Sequence, residues 1–121
     1  MKHLVFVYGT LLKGERNCYL LETSKYIDEG YIDGYYMYNL GTYPGISKGN
    51  GKVYGQIYEV DDETLSSLDY LEAVGYLYDK IKVNVICNEN IYQAYAYEYI
   101  LEKIENKLNK EKYYWKEIKK V

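Results

Sequence analysis

Residues 4–14 read Leu4-Val5-Phe6-Val7-Tyr8-Gly9-Thr10-Leu11-Leu12-Lys13-Gly14. The large apolar and aromatic residues of Leu4–Tyr8 form a run too short for a helix and stopped by a glycine. They describe a strand buried on both faces. The strand runs directly into a loop bounded by Gly9 and Gly14. Successive peptide N–H groups turned the same way in such a loop form a concavity for an anion, and glycine lets a ligand approach the backbone. A tight turn in which Gly9 serves only φ and ψ fits the spacing as well.

Outward from this stretch, residues 15–22 suit a short helical turn. From Tyr26 to Leu40, tyrosines and isoleucines mix with Gly30 and Gly34, which predicts strands bent at glycines. Tyr43-Pro44-Gly45 and Gly49-Asn50-Gly51 read as a loop and a turn, the second leading into a strand from Lys52 to Val60. Asp61-Asp62-Glu63-Thr64 supplies a helix cap and acidic first turn before Leu65, Leu68 and Leu71, with an end expected near Gly75. Ile81–Cys87 and Ile91–Ile100 flank Asn88-Glu89-Asn90 as a hairpin. The chain from Leu101 reads as helical and polar, then aromatic at Tyr113-Tyr114-Trp115. This pattern predicts an α+β fold, a small barrel-like and strongly bent mixed β-sheet with one or two helices. A length of 121 residues suits one domain, residues 1–121.

Composition narrows the function. A formal net charge of −3 lacks the basic footprint that nucleic acid demands. The lysines of 110–120 are interrupted by Glu111 and Glu117 and read as a solvated face. No apolar run is long enough to cross a membrane, and the N-terminal run reads as a strand, not a leader. Cys18 and Cys87 have neither metal-ligand spacing nor a paired framework, so both are expected as free thiols in the cytoplasm. Nineteen tyrosines against one phenylalanine and one tryptophan are unusual. Most should replace Phe as core and surface aromatics, and a few could line a polar pocket.

Most catalytic constellations are missing. His3 is the single histidine, and neither a G-x-S-x-G elbow nor a nucleotide-binding glycine motif is present. Zinc would need ligands that the chain does not space correctly, so neither metal nor cofactor is expected. One anomaly stands out. On a helical wheel Leu65, Leu68 and Leu71 share a stripe of about 120°, and Glu72 falls inside it. Burial disfavours a charged carboxylate, and a helix C-terminus pushes in the same direction, which suits a general base working near neutrality. Pairing with Lys80, or capping the turn at Gly75, would explain the position equally well.

The motifs together resemble the γ-glutamyl cyclotransferase-like (AIG2-like) family. Phe6-Val7-Tyr8-Gly9-Thr10-Leu11 with Gly14 and Asn17 is similar to its opening motif, and Tyr38 through Gly45 to its central Tyr-Pro segment. Val53-Tyr54-Gly55-Gln56-Ile57-Tyr58 and Leu68-Asp69-Tyr70-Leu71-Glu72, with Tyr78 six residues on, follow in the family's order. Trp115 resembles a tryptophan near the family's end.

The resemblance implies release of 5-oxoproline from a γ-glutamyl-amine or γ-glutamyl-amino acid, by attack of the α-amine on its own γ-carbonyl. It implies Glu72 as acid/base, and backbone N–H groups of Gly9, Thr10 and Leu11 on the substrate. Tyr8 and Tyr78 would line the pocket, with Tyr43 a further candidate. The partner would be a small γ-glutamyl substrate, with no cofactor; the oligomeric state is left open. Two departures stand out: Ala73-Val74 where the family has glycine directly after the glutamate, and Lys80 in place of an arginine. A non-catalytic protein holding a small carboxylate in the same pocket is the alternative. An interaction module built on exposed tyrosines is a third reading, and it predicts no enclosed cavity beside Glu72.

Overall fold

The structure, a computed structural model, describes residues 1–40 and 43–100 and the backbone of Lys112–Tyr113. The helix expected from Leu101 and the side chains of Tyr113–Trp115 lie outside the described residues. Strands β1 (Lys2–Val7), β2 (Lys25–Asn39), β3 (Pro44–Asp61), β4 (Tyr78–Cys87), β5 (Asn90–Tyr99) and β6 (Lys112–Tyr113) form one sheet, with helix α1 (Asp62–Leu71) between β3 and β4. A single 3-10 turn at Cys18–Leu21 takes the place expected for the short helical turn.

The sheet order is β1-β5-β4-β2-β3-β6, and β1 also pairs with β3, so five strands close into a bent barrel with β6 beside β3. Pairing is antiparallel except for β1 with β5 and β3 with β6, which makes the sheet mixed as expected. Phe6, Ile32, Met37, Ile46, Ile57 and Leu68 are among the fully buried side chains of the interior. Cys18 and Cys87 are unpaired.

Two local readings are corrected. Pro44 and Gly45 are not loop: they open β3, paired with Asn39 and Tyr38. Proline tolerates the first position of a strand, where its missing N–H leaves no gap in the ladder. Gly49-Asn50-Gly51 is not a turn between strands. It lies inside β3, where the register moves from Asp33↔Lys52 to Tyr35↔Lys48 and the extra residues bulge out opposite Gly34. β2 and β3 thus form one long bent hairpin.

Closure depends on a cross-strand glycine pair, Gly30 and Gly55. A Cβ on Gly55 would lie 2.2 Å from the Val7 carbonyl oxygen of β1, and one on Gly30 would lie 2.3 Å from the Ile86 oxygen of β4. Both obstacles are backbone and cannot swing aside.

Helix α1 starts as predicted. Asp61 is extended, and its carboxylate accepts from the Thr64 N–H at 2.8 Å. Leu65 and Leu68 bury the inner face, but Leu71, expected on the same stripe, is 38% exposed because the helix ends there. Glu72 is the C-cap, and the chain reverses through Ala73 at φ +47°. The Ala73 N–H donates to the Tyr70 oxygen and the Val74 N–H to the Asp69 oxygen, both at 3.1 Å, which is a Schellman termination. Alanine therefore occupies the left-handed position that glycine takes most easily.

Ala73→Gly is expected to raise stability by about 0.5–1 kcal/mol, relief of the left-handed conformation exceeding the added flexibility of the unfolded chain. Gly55→Ala is expected to lower it by about 3 kcal/mol through the clash with β1. Urea unfolding of both variants checks the pair, and unchanged midpoints would contradict this account of the backbone.

Candidate active site

At one end of the barrel lies a cavity of about 160 Å³. Its walls include Tyr8, Gly9, Thr10, Leu11, Tyr43, Glu72 and Tyr78, so every site residue expected from the sequence lines one space. Pro44, Arg16 and Tyr97 line it too. A volume below the roughly 300–1,000 Å³ of drug-sized pockets suits a compact group, not a large cofactor.

The loop after β1 supplies unspent donors. Its internal bonds run from Leu12 N–H to Gly9 oxygen (3.0 Å) and from Asn17 N–H to Thr10 oxygen (2.9 Å). Asn17 Nδ2 also donates to Thr10 Oγ1 at 3.0 Å, folding residue 17 back onto residue 10. Among the described residues no loop bond uses the N–H of Gly9, Thr10 or Leu11. Gly9 itself is not in the left-handed region; the positive-φ glycines are Gly14, Gly34 and Gly75. Its side-chain space is taken by the Pro44 ring, 2.6 Å from where a Cβ would sit. Backbone torsion does not require this glycine, but packing against Pro44 does. The Tyr78 hydroxyl donates to the Pro44 oxygen at 2.7 Å and holds that proline in place.

Glu72 enters from the helix end. Burial pushes its carboxyl up to about 7. Neither structural explanation of its position holds among the described residues. Lys80 pairs instead with Asp69 Oδ2 at 2.8 Å, and the turn at Gly75 is closed by backbone, its N–H donating to the Tyr78 oxygen at 2.9 Å. His3 bonds Asp62 at 2.6 Å, and neither residue is among those lining the cavity.

Three buried tyrosines stand near Glu72, yet each hydroxyl donates elsewhere. Tyr8 gives its proton to the Tyr97 oxygen at 2.6 Å, Tyr78 to Pro44, and Tyr97 to Asp69 Oδ1 at 2.8 Å. Burial above all, with the nearby Glu72 charge adding, raises all three hydroxyls well above the usual phenol range. They remain protonated near neutrality and cannot serve as bases. Glu72 is the titratable group of the cavity poised to exchange a proton at neutral pH.

Tyr97 and Arg16 escaped the sequence reading. Tyr97 lies on β5 directly after buried Ala96, out of phase with Ala94 and Ala96, so alternation along the strand assigns it to the opposite face. Arg16 carried no signal beyond being the chain's single arginine.

The comparisons with known proteins agree with this geometry. The sequence model of the family described as Gamma-glutamyl cyclotransferase, AIG2-like matches residues 5–117. A Vibrio cholerae relative is 47% identical over 75 residues, 61% of this chain and 65% of the relative. The Escherichia coli gamma-glutamylcyclotransferase family protein YtfP is 39% identical over 71 residues, 59% of this chain and 63% of YtfP. The match thus spans a little under two thirds of either relative's length. Among solved structures, an uncharacterized protein from Pyrococcus horikoshii, PH0828, superposes with a TM-score of 0.79 at 28% identity, covering 97% of this chain and 92% of its own. By sequence, fold and the residues gathered at the barrel's end, the chain belongs to the gamma-glutamyl cyclotransferase, AIG2-like family.

Proposed function

We propose that this chain is a cyclotransferase that releases 5-oxoproline from a γ-glutamyl-amine or γ-glutamyl-amino acid. The observation that carries the reading is a glutamate with a carboxyl near pH 7 sharing a small cavity with three unspent backbone donors. The N–H groups of Gly9, Thr10 and Leu11 hold the glutamyl carboxylate or the oxyanion that forms at the γ-carbon. Glu72 takes a proton from the α-ammonium. The freed amine attacks the γ-carbonyl, a five-membered ring closes, and the bond from the carbonyl carbon to the leaving nitrogen breaks. Glu72 gives its proton to that nitrogen, and the second proton that the attacking nitrogen sheds on ring closure also ends on the leaving amine, which departs as an ammonium, so protons balance over the cycle. Tyr8, Tyr43 and Tyr78 confine the substrate in a folded conformer, which helps because the step is intramolecular. No residue forms a covalent bond with the substrate. The two unpaired cysteines suit a reducing, cytoplasmic setting.

Glu72 also separates this reading from a non-catalytic carboxylate binder. A site built only to hold an anion gains nothing from a second carboxylate in its wall, and at pH 8 that carboxylate repels the ligand. The interaction-module reading expects a large exposed aromatic patch and no enclosed pocket beside Glu72, and the concave cavity lined by Glu72 and the Gly9–Leu11 loop speaks against it.

Glu72→Gln is expected to cut 5-oxoproline release by about 10⁴-fold or more, since one group serves both proton transfers, while the fold and substrate affinity persist. Gln keeps the shape but cannot accept the proton. Turnover retained per folded molecule would end the proposal.

Activity and stability should move in opposite directions with pH. The base works only when ionised, so the rate should climb through pH 7. A carboxyl raised from 4.5 to about 7 by folding binds more protons when folded, so its contribution falls as pH rises across that window, by on the order of 3 kcal/mol. The Gln variant should lose both dependences and be the more stable protein at pH 8. Thermal melts and rates between pH 5 and pH 8 on one preparation test this, and parallel profiles for the two proteins would refute it.

A further inference from the structure

The cavity has charge at two places. Of its lining residues only Glu72 has a carboxyl and only Arg16 a basic side chain. Arg16 sits in the loop after β1, next to the folded-back Asn17, with the Cys18 N–H bonded to the Glu15 oxygen at 3.1 Å on its other side. Its backbone position is therefore held, while the residue is exposed and is among those lining the cavity. Among the described residues the guanidinium makes no hydrogen bond and no ion pair. It does not neutralise Glu72 either, because burial of that carboxyl is offset by no neighbouring cation. A cation unpaired among the described residues, lining a pocket together with the pocket's own acid, is placed to meet a ligand.

The reaction proposed above determines which part of the ligand reaches it. The α-amine and the reacting carbonyl must lie at Glu72, and the loop amides occupy the inner wall. A cavity of about 160 Å³ encloses a glutamyl group and little more, so whatever the leaving nitrogen carries points outward, past Arg16. A guanidinium binds a carboxylate through two parallel N–H···O contacts, and an alkyl group offers it nothing. We propose that Arg16 is a specificity-determining residue selecting γ-glutamyl compounds whose leaving group carries a carboxylate, amino acids in preference to simple amines. This assignment rests on the cyclotransferase reading.

Two substrates isolate the contact: γ-glutamyl-alanine, and γ-glutamyl-ethylamide, which differs only by lacking the alanine carboxylate. Steady-state release of 5-oxoproline would be followed for the wild type, Arg16→Gln and Arg16→Lys. The wild type is expected to favour the dipeptide by about tenfold or more in kcat/KM, mostly through KM, with the preference shrinking at high salt. Arg16→Gln should bring the ratio of the two substrates close to one, and Arg16→Lys should restore part of it. A wild type that uses both substrates equally would overturn the assignment. So would a Gln variant weakened equally on both, which would place Arg16 on the glutamyl group's own carboxylate. If neither compound yields 5-oxoproline, the cyclotransferase reading fails by itself. Calorimetric affinities of the two compounds for wild type and Arg16→Gln then decide the arginine, and equal affinities for the wild type would overturn it.

Discussion

The absence of side chains at Gly30 and Gly55 is the constraint on which the rest of the molecule depends. The two glycines face each other across β2 and β3, and each admits the backbone of a further strand, β4 at Gly30 and β1 at Gly55. The β2–β4 seam consists of one paired position, Tyr31 with Ile86, and the β1–β5 seam of another, Val5 with Tyr95. So little ladder closes the ring that the close approach at the glycines must do part of the work. A methyl group at either place would open a seam. The site would feel this at once, because Val7, whose oxygen lies over Gly55, is followed directly by Tyr8 and the amide loop. Barrel closure and the position of the loop donors are thus one geometric condition.

The electrostatics of the site follow from where the hydroxyl protons go. A carboxylate surrounded by tyrosines ordinarily finds donors, and donors would stabilise its charge and lower its pKa. Here Tyr8, Tyr78 and Tyr97 all direct their protons to protein acceptors, two of them backbone oxygens. The same bonds tie β1 to β5 and β4 to β3 at the end where the cavity opens. The tyrosines therefore stiffen the rim and withhold stabilisation from Glu72 in a single arrangement. Burial without compensation leaves the carboxyl near 7.

The sequence made parts of this legible for identifiable reasons. The run at Leu4–Tyr8, the cap at Asp61 and the hairpin around Asn88 are local signals, and the structure has each where its pattern lies. Glu72 stood out because a carboxylate on a leucine stripe contradicts its surroundings. The bulge at Gly49–Gly51 was read as a turn because the same residues serve both purposes, and only the partner strand decides which. Leu71 was assigned to the buried face because periodicity does not say where a helix stops. Gly9 reads in the sequence as room for a ligand or as a tight turn, and the structure adds a neighbour that needs the room, Pro44, distant in sequence. For the bulge and for Gly9, the missing information is a contact between residues apart along the chain; for Leu71 it is the point at which the helix stops.

The orientation of Glu72 has a further source. Helix α1 buries only Leu65 and Leu68, a footing that would let it roll against the sheet. Asp69 prevents this by dividing its carboxylate between two donors on the barrel. Oδ1 accepts from Tyr97 on β5 and Oδ2 from Lys80 on β4. Both side chains of the Asp69–Lys80 pair are only about a quarter exposed, at 28% and 25%, so screening weakens it less than a surface pair. A lysine satisfies one oxygen as a point charge and leaves the other for Tyr97. An arginine fork would engage both oxygens and compete with the tyrosine. The lysine at position 80 is therefore compatible with a helix held by two separate bonds, one turn before Glu72, whose carboxyl lines the cavity. The rigid part of this end is the Asp69 clamp, and the strained part is Ala73. Glu72 lies between them, so its direction follows from how the helix is clamped and how it ends.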